Sequence, residues 1–348
     1  MKNGKVEVKV PLKTNARHLQ QMYTGLETLQ KMGTIRLEYV DQAIKHNEVF
    51  TTLVINNKDV VIDCKDSVEI EQKNYDDCDV YFKRSLSPKH FHTLSKIHPF
   101  GLYFEVYPSV RSAHTIERFL AFSENSAVNK AKSLVKALDT KNLLSYMPRA
   151  NNFLPKHEKI EDISILFFTR LWNPHFDREF ELSKVETCDR ELINTLRIDC
   201  VRALRKEFGQ ECLVGLMDDE YSRKLAPDLI LSPEVTAQRK YIELVKRSKV
   251  CITSTGLHGS IGAKFSEYLA LGKLILSEPF NHVLTSPVEE GINYLAYNSP
   301  EQCVDKAKQM LRSSDENRAM IESNSQYSIE YLRPEKIMQR VIDKAISS

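Results

Sequence analysis

The chain has 348 residues, 42% of them hydrophobic and 28% charged, with a formal net charge of +2. That length exceeds what a single core commonly serves, so two domains are expected, and the balanced charge excludes a dedicated nucleic-acid binder, which would carry a large basic excess. No apolar run approaches the roughly 20 residues that span a bilayer, and the first residues hold no apolar signal core.

The seven cysteines are odd in number and show no CxxC spacing, so they read as reduced thiols of a cytosolic protein. His90, His92 and His98 come nearest to a ligand cluster, but without cysteine or paired acids beside them they read as a polar loop, and no metal is expected.

In chain order, residues 5–10 alternate as a strand. Asn15 is a candidate N-cap for a helix carrying Leu19, Met22, Leu26 and Leu29 on one face, with Gly33 as its stop. Residues 34–40 form a second strand. Residues 49–55 and 60–63 flank Asn56-Asn57, which is hairpin-turn chemistry. Strands are predicted over 79–84 and 101–107, the latter after a Pro99-Phe100 loop, and helix over 116–138. Residues 144–162 lack a sustained period and carry Pro148 and Pro155, so they read as the linker between domains.

The second half alternates strand and helix more cleanly. Residues 163–169 form a buried strand, and 170–174 are the loop leaving its carboxyl end. A helix over 191–208 closes at Gly209. Strands follow over 212–216 and 229–231, then a helix over 236–248. After a strand over 293–297, Ser299-Pro300 begins a helix, and residues 335–346 form the last one. Strands alternating with helices imply an α/β protein of two doubly wound, Rossmann-like domains, whose ligands lie outside the carboxyl ends of the strands.

Residues 250–279 carry the chemistry. A short apolar strand over 250–253 leads into a loop with Gly256, Gly259 and Gly262, then a helix over 263–271 stopped by Gly272, then another strand from Leu274. Such a loop aims backbone N–H groups and a helix N-terminus at what lies beyond the sheet, which suits phosphate. Lys264 and Glu267 lie one turn apart: a cation for phosphate, and a carboxylate able to accept two ribose hydroxyls. The competing reading is a tight βα turn with an ordinary first-turn acid, since a lone glycine loop is a weak motif.

The run Lys264-Phe-Ser-Glu-Tyr-Leu-Ala-Leu-Gly-Lys-Leu-Ile-Leu resembles the donor-nucleotide motif of glycosyltransferases with the GT-B fold, which often carry an E-A-L-A-x-G-x-P-V-V-like segment. Gly256-Leu-His-Gly-Ser-Ile-Gly262 sits where that group places a glycine-rich diphosphate loop, and Phe167-Phe-Thr-Arg170 resembles its strand-end segment with a basic residue for the donor phosphates. The resemblance covers about residues 163–311. It implies two domains facing a cleft: residues 1–155 for the acceptor, 156–325 for the donor, and 326–348 as a helix crossing back to the first.

By that resemblance Arg170 and Lys264 meet the diphosphate, and Gly256, Gly259, Ser260 and Gly262 let the backbone approach it. Glu267 takes the ribose, and His258 touches a phosphate or the sugar or stands only as a loop-tip residue. Many retaining members carry E-x7-E. Glu267 matches the second glutamate, but Gly259 stands where the first would contact the transferred sugar. For a general base, His18 is the candidate, just beyond the first strand, with His92, His98 and His114 as competitors; Lys83 and Arg84 either hold an anionic acceptor or are solvated.

The implied activity is transfer of a sugar from a nucleotide-diphosphate sugar, a co-substrate rather than a cofactor, to an acceptor hydroxyl without a metal, in bacterial surface glycan or polysaccharide synthesis. The acceptor is a glycan or a lipid-linked glycan; the latter implies a cytoplasmic enzyme peripherally associated with the inner face of a membrane. The alternatives are a nucleotide-sugar epimerase of the same architecture and a non-catalytic partner subunit.

Overall fold

A computed structural model describes residues 5–12, 17–40, 49–121, 126–141, 143, 147–155, 161–176, 182–312 and 314–348. It divides into two compact units: Met1–Leu154 with Asn281–Pro287 and Ile329–Ser348, and Pro155–Phe280 with Val288–Ser328.

The elements run β1 (Val6–Pro11), α1 (Gln20–Met32), β2 (Ile35–Val40), β3 (Phe50–Ile55), β4 (Lys58–Asp63), α2 (Gln72–Asp77), β5 (Val80–Lys83), α3 (Pro88–Thr93), β6 (Ile97–Pro99), α4 (Ala113–Ala121) and α5 (Ala127–Leu138). They continue with β7 (Ile163–Thr169), α6 (Lys184–Phe208), β8 (Cys212–Leu216), α7 (Glu220–Leu225), α8 (Pro233–Thr236), α9 (Gln238–Arg247), β9 (Ser248–Ile252), α10 (Ala263–Ala270), β10 (Leu274–Ser277), β11 (Leu295–Ala296), α11 (Pro300–Leu311), α12 (Asp315–Tyr327) and α13 (Pro334–Ser347).

The first unit is built on a sheet ordered β2-β1-β3-β4-β5-β6. Its strands pair in parallel except β3, which runs antiparallel to both β1 and β4. The reversal is made by Asn56 and Asn57, at φ 47° and 67°, values asparagine tolerates better than most side chains. The sheet is covered on both faces. Val8, Val10 and Phe82 pack with α1 and α13, while Val61, Tyr81 and Ile97 form a second apolar cluster. Gly33 ends α1 at φ 78°, with its N–H and that of Thr34 returning to Gln30 and Leu29. The proposed N-cap Asn15 lies outside the described residues.

Several expected elements differ. Residues 101–107 join no ladder; the strand is β6, just before them. The Phe100 N–H still bonds to the Lys83 carbonyl, but Gly101 at φ 106° then turns the chain off the sheet. The segment is apolar because it is a buried loop. Its polar groups find other partners: the Val106 carbonyl accepts from Thr24 Oγ1, and the Tyr107 N–H donates to Pro148. Residues 229–231 likewise form only a bridge, Ile230 to Leu216. The helix expected over 116–138 is two, α4 and α5, the second capped by Ser126. The helix expected over 236–248 divides at Ala237, and Ser248 already belongs to β9. The helix expected from residue 191 begins at Lys184, where Ser183 and Glu186 form a reciprocal capping box.

The α1–α13 contact depends on Gly25. A Cβ there would stand 2.2 Å from the Pro334 carbonyl oxygen and 2.6 Å from Met338 Cγ. The nearer atom is backbone, so the helices themselves would have to separate. Gly25→Ala is therefore expected to lower stability by about 1–3 kcal/mol through overpacking, despite alanine's better helix propensity. Urea unfolding midpoints of the two proteins check this; an unchanged midpoint would show that the helix pair yields freely.

Candidate functional site

The second unit's sheet is wholly parallel, ordered β11-β10-β9-β7-β8. From β7 the chain moves one way to β8, then returns across β7 to β9 and onward. The order therefore reverses between β7 and β9, and the crevice outside their carboxyl ends is where such sheets bind ligands. Both faces of β7 are buried: Ile165 and Phe167 pack in the cluster with α6 and α11, and the Phe168 ring lies 6.0 Å from that of Tyr241 on α9. The loop after β7 begins with Arg170. The loop after β9 holds the three glycines.

Helix α6 positions the first of these loops through a buried stripe that changes character along its length. Ile198, Val201 and Leu204 are apolar and join the core; Arg190, Asn194 and Arg197 continue the stripe toward the N-terminus as polar groups. Asn194 accepts from the Trp172 N–H at 2.8 Å and donates to the Trp172 carbonyl at 2.7 Å. Arg190 Nη1 donates to the Asn173 carbonyl at 2.9 Å. Arg197, only 6% exposed, reaches across the crevice: Nη1 donates to the Arg170 carbonyl at 2.6 Å, Nε to Ser254 Oγ at 2.8 Å, and Nη2 to the Thr255 carbonyl at 2.7 Å. Burial pushes its guanidinium down to about 10, against the pull of Glu278. Glu278 in turn accepts from the Thr255 N–H at 2.8 Å, and burial raises its carboxyl. Tyr297 OH donates to the Thr253 carbonyl at 3.0 Å.

The glycine loop contains one tight turn, Leu257–Gly259, with Gly256 N–H bonded to the Ser260 carbonyl at 2.8 Å. His258 stands at φ 59° and Gly259 at φ 66°, and no atom lies within 4 Å of where a Cβ on Gly259 would be. A non-glycine residue held left-handed beside open space is the kind of local strain that accompanies binding sites. Gly262 caps α10 without any side-chain hydrogen bond, so the helix's first N–H groups have no side-chain cap. Lys264 lies half-buried in that first turn, its ammonium 5.4 Å from the Tyr241 ring centroid. Burial pushes it down to about 8; Glu267 opposes that shift, while Arg197 and Arg170 add to it. Lys264 is thus within electrostatic reach of Arg170, Arg197 and Glu267.

Arg170 itself is exposed and stacks on Trp172, its guanidinium carbon 3.7 Å from the ring centroid. Beside it opens a pocket of about 810 Å³ between the loops after β7 and β8.

Candidates in the first unit are engaged locally. His18 Nδ1 lies 2.8 Å from Arg84 Nη1, and its ring is 5.1 Å from that of Tyr103. His114 Nε2 is 2.9 Å from the Leu37 carbonyl oxygen. His98 lies in β6, where burial lowers its imidazole. The expectation that Lys83 and Arg84 are solvated does not hold. Lys83 is fully buried 3.1 Å from Asp63, with burial lowering its ammonium, and Arg84 pairs with Asp66. A strand end that reads as solvated is here enclosed by residues 281–287, since Val283 N–H bonds to the Leu86 carbonyl. Among the described residues no His, Cys, Asp and Glu group could hold a metal, and no helix is long and apolar enough to cross a membrane.

The residues missed by sequence reasoning are Arg197 and Glu278. The signal for Arg197 was its place on the stripe 190, 194, 197, 198, 201, 204, which is helical spacing toward a buried face. Glu278 has no periodic signal, since it follows β10 in a loop.

Two open sheets with helices on both faces, the second with a cationic crevice at its reversal point, make this an α/β protein of two sheet-based units. Residues 197–343 match the family model described as glycosyl transferase-like, which upholds the resemblance carried by the glycine loop and the helix behind it. Among solved structures the chain is similar to a glycosyltransferase from Rickettsia africae, at 12% identity over 98% of this chain and 97% of that one, with a TM-score of 0.42. It is also similar to HepE from Anabaena, solved with UDP and glucose, at 9% identity over 95% and 94% with a TM-score of 0.39. A third is the C-terminal domain of a group 1 glycosyl transferase, LpcC, from Francisella tularensis, at 10% identity over 52% and 97% with a TM-score of 0.37. No curated protein sequence matches.

Replacing Arg197 removes three hydrogen bonds from a charged donor and leaves Glu278 buried opposite no cation. Arg197→Met is expected to cost about 2–5 kcal/mol of stability, read by urea unfolding. Arg197→Lys, which keeps the charge but not the three-way geometry, should recover only part of it.

Proposed function

We propose that this chain transfers a sugar from a nucleotide-diphosphate sugar to an acceptor hydroxyl, in the assembly of a bacterial surface glycan or polysaccharide. The observation that supports it most is the crevice between β7 and β9, where Arg170 lies within electrostatic reach of Lys264 at the uncapped N-terminus of α10, and where Lys264 and α10 belong to the segment matching a glycosyl transferase-like family. In transfer, the bond between the anomeric carbon and the diphosphate breaks, a bond to the acceptor oxygen forms, and the acceptor proton passes to a base. The diphosphate leaves with its charge unmasked. In this scheme Lys264, Arg170 and the α10 N–H groups hold it, Gly256, Gly259, Ser260 and Gly262 form the floor, and no metal is required. Glu267, one turn beyond Lys264, accepts the ribose hydroxyls. His18 is the proposed base, and a glycan or lipid-linked glycan the proposed acceptor, met at the inner face of a membrane.

Calorimetry against UDP, GDP, ADP and dTDP should show one of them binding, and Glu267→Ala should weaken it roughly 10- to 100-fold, the worth of a charged hydrogen bond. Silence toward all four, with Glu267→Ala indistinguishable from the parent, ends the proposal. Free diphosphate should appear only when an acceptor is present, and chelation by EDTA should leave turnover unchanged; epimerised donor without acceptor would favour an epimerase instead.

The pH dependence follows from Lys264. Its ammonium, at about 8 in the free protein, is the form that attracts phosphate, and a bound anion raises it. Diphosphate affinity should therefore be level between pH 7 and about 8 and fall above it, by up to tenfold per unit, as the free protein loses the proton. In Lys264→Met that decline should vanish.

A further inference from the structure

Helix α5 (Ala127–Leu138) is held to the first unit along one narrow line. Its least exposed residues are Asn129, Ser133 and Ala137, which recur every four positions, and Ala137 enters a small cluster with Tyr107 and Phe119. Two cations fasten its last turn. Buried Arg149 donates to the Lys136 carbonyl, and Arg111 Nε to the Leu138 carbonyl at 3.1 Å. At the other end Ser126 Oγ accepts from the Asn129 N–H at 3.1 Å. The helix is therefore formed before it meets any partner.

Every other residue of the helix is exposed, and the exposed side is not polar. At about 100° per residue, Val128, Ala131, Leu134, Val135 and Leu138 share about a third of the circumference, opposite the line of Asn129 and Ala137. Val128 is 63% exposed and Val135 47%, while Leu143 just beyond the helix is 69% exposed. A surface helix ordinarily buries its apolar stripe and turns its charges outward; α5 turns the stripe outward. Lys132 and Lys136 border that stripe on one edge and Lys130 on the other. Between Ser126 and Lys141 four lysines stand against one acid, Asp139.

This combination selects among occupants. A second copy packing through the same face would set lysines against lysines along both edges. A protein partner is commonly anchored by aromatic rings or arginines, and α5 has neither. A bilayer surface with anionic headgroups takes the whole set. The valines and leucines enter the boundary between headgroups and acyl chains, and the lysine stems lie along it with their ammonium groups among the headgroups. Lysine suits this role, being a mobile point charge that needs no fixed geometry from its partner.

We infer that α5 is a docking surface for an anionic lipid bilayer, with Val128, Leu134, Val135 and Leu138 in the interface and Lys130, Lys132 and Lys136 on the headgroups. It deepens the proposed function and rests on it for one point: a lipid-linked acceptor is what brings a bilayer to this chain.

The full chain is floated with phosphatidylcholine vesicles, with and without phosphatidylglycerol, in the absence of nucleotide and acceptor. Binding is expected where phosphatidylglycerol is present, and it should weaken as salt rises. Replacing Lys130 and Lys132 by glutamine should weaken it about fivefold for each lysine removed. Leu134→Gln together with Leu138→Gln should weaken it about tenfold by removing apolar area from the interface. All four side chains are exposed, so the melting temperature should stay that of the parent in both variants. Binding that ignores phosphatidylglycerol, binding that survives both pairs of substitutions, or no binding at all overturns the inference. If vesicles are not bound and the leucine variant dissociates a dimer seen by sedimentation, the face is a contact between copies and the inference is likewise overturned. Nucleoside diphosphate binding without vesicle binding leaves the transferase reading standing and removes this surface. Vesicle binding without nucleoside diphosphate binding upholds the surface and removes the transferase reading.

Discussion

The guanidinium of Arg197 sits between two loops that belong to different halves of a parallel sheet. At the reversal point nothing in the backbone ladder joins the residues beyond the strand ends, because the pairing of β7 with β9 ends at Leu166 and Cys251, short of the loops. A crevice results, and its width is free to vary unless something spans it. Arg197 spans it with a planar fork, taking one carbonyl on the Arg170 side and a hydroxyl and a carbonyl on the glycine-loop side. Burying that charge is costly. Glu278 offsets the cost, and the carbonyl dipoles complete the cation's surroundings.

The same constraint explains why α6 carries polar residues on its inner face. Where the helix lies over the sheet it needs Ile198, Val201 and Leu204. Where it runs past the strand ends it meets loop backbone, whose N–H and C=O groups have lost their ladder partners. Asn194 supplies one donor and one acceptor to the same residue, Trp172, and Arg190 supplies a donor to the next. Residues 170–173 are thereby held by side chains rather than by strand pairing. Three cations gather there, Arg170, Arg197 and Lys264, the last with its proton weakened by burial and by the other two.

The first unit solves a different packing problem with similar means. Its sheet reverses direction at β3, and its edges and strand ends are closed by parts of the chain far away in sequence: α13 against α1, and residues 281–287 against the loop after β5. Polar groups enclosed by that closure are paired inside it. Lys83 lies against Asp63, which also accepts from Tyr81 OH at 2.6 Å, and Arg118 Nε donates to Glu27 at 2.5 Å while Thr115 and Tyr39 complete the carboxylate. Each such group would be destabilising alone and is tolerated because its partner arrives with the fold.

Local chemistry was legible wherever a residue's own spacing decided its role. A period-two run marked β1 and a buried apolar run marked β7; the Asn56-Asn57 pair marked the β3–β4 hairpin; Gly33 and Gly272 marked helix ends; and the glycine loop with Lys264 and Glu267 behind it suggested a phosphate-type site, its function argued by resemblance. What spacing could not supply was the identity of the neighbour. Residues 101–107 and 229–231 are apolar and short enough for strands, but strand pairing depends on a partner at the right register, and burial alone produces the same composition. Lys83 and Arg84 look solvated at a strand end until a distant segment covers them. Arg197 looks like one more helix-surface arginine until two loops separated by more than eighty positions meet at its tip. Periodicity can mark a side chain as facing inward but does not name the backbone it will meet, so the chain's own pattern determined most of the elements and the glycine loop, while only the tertiary structure decided which polar side chains hold the loops in place.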